Sequence, residues 1–153
     1  MTMDPQLDDR YREIIVDHFR KPRNKGALRE PDVTAEGVNP LCGDEVTLQI
    51  KLGADGRIEG IGFLGGGCAI SQASASILTE EVKGKTIAEA RDLVRQFRGM
   101  MTEGGPTPQD ETGDVEALQG VAQFPLRVKC AMLSWNVLQQ ALDEGEARVA
   151  APA

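Results

Sequence analysis

The chain changes its hydrophobic period abruptly at three consecutive glycines, Gly65-Gly66-Gly67, and this break limits what it can fold into. Before the glycines, Val46, Leu48, Ile50 and Leu52 alternate with Thr47, Gln49 and Lys51, the period of a half-buried strand. Ala54-Asp55-Gly56 then turns the chain into a second strand, Arg57 to Leu64, which makes a hairpin. After the glycines every periodic segment reads as helix. Cys68 leads into Ala69 to Val82, rich in Ala and Ser and closed by Gly84, whose small side chains allow close approach to neighbours. Thr86 with Glu89 is a capping box, followed by an apolar stripe of Ile87, Ala90, Leu93 and Phe97. The last helix is expected from Pro125 to Leu142, with Leu126, Cys130, Leu133, Val137 and Ala141 on one face.

Ahead of the hairpin, Leu7, Tyr11, Ile14, Ile15, His18 and Phe19 predict a first helix over about Asp8 to Phe19, ended by Pro22. Between Gly99 and Gly120 the pattern dissolves into Gly104-Gly105-Pro106, Pro108 and the acids Asp110, Glu111 and Asp114. A loop insertion with one helical turn near Val115 to Leu118 is expected there. Strands first and helices afterwards give an α+β fold, a small antiparallel sheet packed against helices. No boundary or repeat divides residues 1–153, so a single domain is expected.

Charge and composition narrow the function. Seventeen basic against 24 acidic side chains leave a net charge of -7, which repels a phosphate backbone or an anionic membrane. Aromatics number six, too few to stack a nucleic-acid strand. No run of 18 apolar residues exists, and Met1 to Arg10 is acidic with no apolar segment behind a basic start. A cytoplasmic protein with no nucleic-acid or membrane partner is the expectation. Three cysteines, Cys42, Cys68 and Cys130, are an odd set in such a chain, so metal binding or thiol chemistry ranks above a disulfide framework.

The local context of the thiols carries more than their spacing. Cys42 precedes the first strand of the hairpin, and in extended chain Cys42 and Asp44, two residues apart, project to the same side. Cys68 and Cys130 stand near the starts of helices, where the dipole favours a thiolate. Three thiolates and a carboxylate supply the four donors that tetrahedral zinc takes. Four anionic ligands around a divalent ion leave negative charge, which Arg127 and Lys129 beside Cys130 would offset. The plainer alternative keeps Cys68 and Cys130 as small core residues and Cys42 as a loop thiol. Asp44 would then be an Asx-turn residue. His18, the one histidine, falls on the apolar stripe of the first helix and reads as a buried histidine with a backbone partner.

Four segments, YREIIVDHFRKPRNKG (Tyr11 to Gly26), NPLCGD (Asn39 to Asp44), FLGGGCAISQASAS (Phe63 to Ser76) and RVKCAML (Arg127 to Leu133), resemble the iron-sulfur assembly proteins of the IscU/NifU N-terminal class, above all its SufU branch. The resemblance runs through nearly the whole chain in order. It implies an IscU-like α+β fold, zinc held by Cys42, Asp44, Cys68 and Cys130, and a cysteine desulfurase of the SufS kind as partner, ahead of a downstream SUF assembly complex. Cys42, Asp44 and Arg127 are the implied catalytic set, with Cys42 accepting persulfide sulfur. An iron-sulfur cluster built on the same ligands, as on IscU-type scaffolds, is the alternative cofactor. Scaffold-type members carry a histidine where this chain has Lys129, and their Hsp70-recognition stretch is matched only loosely by Gln123 to Arg127. The stretch from Gly99 to Gly120 is similar to the insertion of the SufU branch.

Overall fold

The computed structural model describes residues 9–108 and 114–150, with side chains described to residue 148. Its elements are α1 (Asp9–Arg20), β1 (Val33–Asn39), β2 (Asp44–Leu52), β3 (Ile58–Gly66), α2 (Ala69–Val82), α3 (Ile87–Glu103), a 3-10 helix (Asp114–Gln123) and α4 (Pro125–Ala150). The three strands form one antiparallel sheet in the order β1-β2-β3. This is the expected α+β arrangement, with α1 ahead of the sheet and the other helices after it.

The strand β1 is not among the elements expected from the sequence, where a polar stretch precedes the hairpin. Its inward positions are Val33, Ala35, Gly37 and Asn39, so two of the four carry little or no apolar weight and the alternation is faint. Pairing with β2, in a register that sets Asn39 opposite Asp44, supplies what local pattern lacks. In β2 the buried row is Asp44, Val46, Leu48 and Ile50, so the hairpin's inward alternation ends on a carboxylate.

The helix α2 is buried on nearly all sides, as a stretch of Ala and Ser permits. It packs against α1, α4 and β3. Ser74 Oγ donates to the Ala131 carbonyl at 2.7 Å and accepts from Trp135 Nε1 at 3.0 Å, which pins α2 to α4. Trp135 stacks on Phe97 of α3 with ring centroids 4.1 Å apart. The capping box of Thr86 and Glu89 forms at the start of α3 as read from sequence.

Element ends differ from expectation in three places. The helix α3 passes through Gly99 to Glu103 because Met100 and Met101 continue its buried stripe, and Gly104 in the left-handed region closes it. The expected single turn near Val115 is a longer 3-10 helix that buries Val115, Ala117, Leu118 and Val121. The helix α4 runs beyond Leu142, since Asp143 to Ala150 contains no proline stop and mostly good helix formers. Two side chains assigned to apolar faces are exposed, Phe19 at 45% and Leu126 at 70%, because each sits in a terminal turn that overhangs the core. Leu7, Asp110 and Glu111 lie outside the described residues.

Candidate metal centre

The thiols meet where the β1–β2 turn, the start of α2 and the second turn of α4 converge. Pro40-Leu41-Cys42-Gly43 forms the turn, with Cys42 N donating to Asn39 O at 3.2 Å and Gly43 at φ 68°. Cys42 is therefore not in extended chain. A tight turn with a glycine in the left-handed region brings it and Asp44 to one side, rather than strand alternation. Cys42 is exposed, Cys68 half-buried and Cys130 fully buried.

Asp44 is 2% exposed and uses its two oxygens differently. Oδ1 accepts the backbone N–H of Cys68 at 2.8 Å, while Oδ2 lies 3.8 Å from Cys68 Sγ. The Asx-turn alternative is thus replaced by a bridge from β2 to the start of α2. Cys68 is the N-cap of α2, its Sγ accepting Ser71 N–H at 3.4 Å. Gly67, at φ 142°, has no room for a side chain: a Cβ there would collide with the Asp44 carboxylate. The glycine run is thus what lets the β3–α2 connection close over Asp44.

Cys130 Sγ approaches Cys42 Sγ to 3.2 Å, and Asn39 Nδ2 faces the Cys130 sulfur at 3.9 Å. Burial, then the neighbouring thiols of Cys42 and Cys68 and the Asp44 carboxylate, push the Cys130 thiol far up from its ordinary range. The expected helix-start advantage fails for Cys130: it is the sixth residue of α4, beyond the first turn where the dipole acts. A cation placed among the sulfurs reverses that balance, since a coordinating thiol is deprotonated outright.

Ligand atoms of Cys42, Asp44 and Cys130 all lie within 4.8 Å of one another. Cys68 falls outside that threesome and joins through its contact with Asp44 Oδ2. Zn–S bonds of about 2.3 Å in a tetrahedron put ligand atoms about 3.8 Å apart. The Cys42 and Cys130 sulfurs, at 3.2 Å, lie inside that value, and Asp44 Oδ2 and Cys68 Sγ, at 3.8 Å, match it, so these donors are close enough to share a small tetrahedral ion. Arg127 is exposed in the first turn of α4 and forms no ion pair among the described residues. Two contributors are not among the residues expected from the sequence, Asn39 and Gly67. The glycine triplet was the visible signal for Gly67, whereas Asn39 had none.

His18 is 1% exposed, and both ring nitrogens meet side chains rather than the expected backbone partner. Nδ1 lies 2.7 Å from Ser76 Oγ and Nε2 lies 2.7 Å from Asp114 Oδ2. His18, Asp114 and Glu80 form a second close group of potential ligands.

A three-stranded antiparallel sheet with a cysteine turn at one end, a helix-capping cysteine and a buried third thiol defines a small α+β protein with a sulfur-rich corner that could hold a metal ion. Residues 10–131 match the NifU-like N-terminal domain, and the chain belongs to that family. It is 42% identical over 146 residues to the zinc-dependent sulfurtransferase SufU of Bacillus subtilis, covering 95% of this chain and 98% of that protein. It is also 39% identical over 137 residues to the iron-sulfur cluster assembly scaffold protein IscU of Streptococcus pyogenes, covering 90% and 85%. Among solved structures, a NifU-like N-terminal protein from Brucella abortus superposes with TM-score 0.85 at 27% identity, over 94% of this chain and 99% of that one. A protein described as an assembly scaffold for the SUF system in Fervidobacterium islandicum gives 0.75 at 34% identity, over 85% and 94%. The fold is thus that of the IscU/NifU class, and the chain belongs to the iron-sulfur cluster assembly family. No helix of the described residues is long and apolar enough to cross a membrane.

Proposed function

We propose that this chain is a zinc-bound sulfur-transfer protein that takes persulfide sulfur from a cysteine desulfurase onto Cys42 and passes it to iron-sulfur cluster assembly. The observation that carries the reading is the contrast in exposure. Cys42 is exposed on a turn beside Gly43, whereas Cys130 is buried in α4 and Cys68 caps α2. Cys42 can move outward without unravelling a helix. Leu41 in that turn and Leu126, one helical turn before Cys130, are both 70% exposed and offer apolar surface to a docking partner.

The residues that would hold zinc are Cys42, Asp44, Cys68 and Cys130. Zinc supplies charge that keeps the thiolates ordered and unoxidised, without redox chemistry of its own. In the docked complex Cys42 as thiolate attacks the outer sulfur of the desulfurase persulfide. A new S–S bond forms on Cys42, the desulfurase S–S bond breaks, and the electron pair leaves on the desulfurase cysteine. Arg127, exposed three residues before Cys130, is the cation proposed to offset charge around the site and to pair with Asp44 when that carboxylate leaves the metal. A SufS-like desulfurase, a downstream SUF complex and a cytoplasmic site of action complete the reading, supported by the likeness to the Bacillus protein.

The test incubates zinc-loaded protein with a desulfurase and cysteine and locates persulfide by peptide mass spectrometry. Persulfide on Cys42, with about one zinc per chain, is expected. Persulfide only on Cys68 or Cys130 overturns the assignment. The likeness to the Streptococcus scaffold favours a second reading, a cluster built on the same ligands. A brown cluster in place of zinc, in cells supplied with both metals, would establish that one instead.

A further inference from the structure

Beside the thiol corner lies a groove of about 650 Å³, between the end of β1, the C-terminal part of α3 and the first turns of α4. Its apolar floor includes Met101, Met132 and Leu133, all buried. Its rim carries Arg98 and Lys129, and no aspartate or glutamate lines it. In a chain of net charge -7 this is a local reversal of sign. Arg98 Nη2 donates to Asn136 Oδ1 at 3.1 Å, which holds the guanidinium at the rim.

The groove and the thiols are joined through Asn39. That residue lines the groove, its Nδ2 faces Cys130 Sγ at 3.9 Å, and its carbonyl accepts Cys42 N–H at 3.2 Å. Along α4, Lys129 and Met132 turn toward the groove while Cys130 between them turns to Cys42. A molecule in the groove therefore sits one side chain away from the sulfurs.

We propose that the groove binds a small anionic thiol, with an apolar carbon body on the methionine floor and a carboxylate at Arg98 and Lys129, and that this thiol removes sulfur from Cys42. The size and the mixture of apolar floor with a few convergent polar groups match small-molecule sites. The step rests on the persulfide reading above. The incoming thiolate attacks the outer sulfur of the Cys42 persulfide; the new S–S bond forms on the small thiol. The old S–S bond breaks with its electron pair on Cys42, which leaves as thiolate, and no external oxidant or reductant is needed.

Overall charge and the groove make opposite predictions. A protein of charge -7 should react faster with a cationic thiol. The groove should favour 6-mercaptohexanoate over 3-mercaptopropionate, and both over cysteamine. Each rate is measured on persulfidated, zinc-loaded protein and divided by the same thiol's rate against a free small-molecule persulfide. The expected advantage of 6-mercaptohexanoate over cysteamine is about tenfold, the combined worth of two modest charge contacts and some apolar burial. Arg98→Glu, remote from the thiols, should remove most of it, and Arg98→Glu/Lys129→Glu should invert it.

Binding without chemistry is read separately by titrating hexanoate into the zinc-loaded protein and following the methyl signals of Met101 and Met132 by NMR. Saturable shifts that vanish in the Arg98→Glu variant are expected. Faster normalised reaction with cysteamine in the unaltered protein overturns the proposal. So does the absence of saturable shifts, which would leave an acidic segment of a protein partner as the occupant. If no persulfide forms on Cys42, the sulfur-transfer reading fails, while the hexanoate titration still decides whether the groove takes an anionic amphiphile.

Discussion

Two corners of this molecule gather potential metal ligands at similar spacing, yet they differ in what those ligands already do. At the thiol corner, among the described residues, Asp44 Oδ2 faces only a sulfur at 3.8 Å and the Cys42 and Cys130 sulfurs face each other at 3.2 Å. Sulfur is a weak hydrogen-bond partner, so this bonding capacity is largely unspent. At the histidine corner, both ring nitrogens of His18 hold side-chain oxygens at 2.7 Å, and Ser76 Oγ also accepts Arg23 N–H at 2.8 Å. Asp114 as a carboxylate can only accept, so Nε2 of His18 carries the hydrogen it receives. Glu80 is meanwhile approached by the Arg23 guanidinium at 3.8 Å, so this carboxylate already has a cation beside it. Proximity alone therefore does not make a metal site; unspent donors do. The histidine corner is a strut that ties α1 and α2 to the 3-10 helix.

The largest effect expected from this contrast is on sulfur transfer. Cys42→Ala should abolish persulfide formation and reduce stimulation of a desulfurase by at least about 100-fold, the usual order for losing a nucleophile. His18→Gln should leave transfer within about twofold of the unaltered protein. Turnover measured with each variant at equal zinc content checks both. A His18→Gln variant as inactive as Cys42→Ala would collapse the distinction between the corners.

Metal content and stability sharpen the same comparison. Cys130→Ala and Cys68→Ala should lose most zinc and with it the stability that metal binding adds. Asp44→Ala should retain part of its zinc, since a carboxylate is the donor most easily replaced by water. His18→Ala should keep about one zinc per chain while losing about 2–4 kcal/mol, the cost of a buried cavity plus two lost hydrogen bonds. Zinc by mass spectrometry together with urea melts separates these outcomes. Zinc loss in His18→Ala would place a ligand in the wrong corner.

Legibility in the sequence followed the same division. The hairpin, α2, the Thr86 cap and the start of α4 were readable because each rests on a local period or a local hydrogen bond. Asp44 is singled out in sequence by its two-residue spacing from Cys42, whereas in the structure it is buried because it falls in phase with Val46, Leu48 and Ile50 in the inward row of β2. The strand β1 was not, since Gly37 and Asn39 take inward places that apolar residues normally mark. Nor were the partners of His18, because Ser76 and Asp114 lie 58 and 96 residues away in sequence and no period links them. Cys42 was expected beside Asp44 for the wrong reason: a turn joins them, not an extended strand.

A smaller effect is expected at Gly67, which belongs to the thiol corner without offering a ligand. Gly67→Ala must strain a φ of 142° and push against the Asp44 carboxylate, so a loss of about 1–3 kcal/mol is expected. Because Asp44 also receives the Cys68 N–H, the displacement should reach the metal ligands and speed zinc exchange to a chelator. Gly84→Ala, also at positive φ but with open space around its Cβ, is the matched control. It should cost stability without altering zinc exchange, and equal exchange in the two variants would detach Gly67 from the centre.

The smallest effect is expected at the start of α3, distant in role from both corners, and it concerns pH. The Glu89 side chain accepts the Thr86 N–H at 2.9 Å, and the Thr86 hydroxyl accepts Glu89 N–H at 3.1 Å. The hydrogen bond from the Thr86 backbone, then that with its side chain, holds the Glu89 carboxyl below its ordinary value of 4.5, with weaker help from Arg57 and Lys85. A carboxyl with a lowered folded-state pKa stabilises the fold above its unfolded value and loses that contribution as pH falls through the folded one. Stability should therefore drop more steeply below pH 4.5 in the unaltered protein than in Glu89→Gln, whose amide oxygen still accepts the Thr86 N–H but does not titrate. Salt should shrink the difference, because Glu89 is exposed and its charged neighbours are screened. Urea melts of both forms between pH 3 and 7 read the effect. Identical pH profiles would show that the Thr86–Glu89 box closes the helix by geometry alone, with no share carried by the charge.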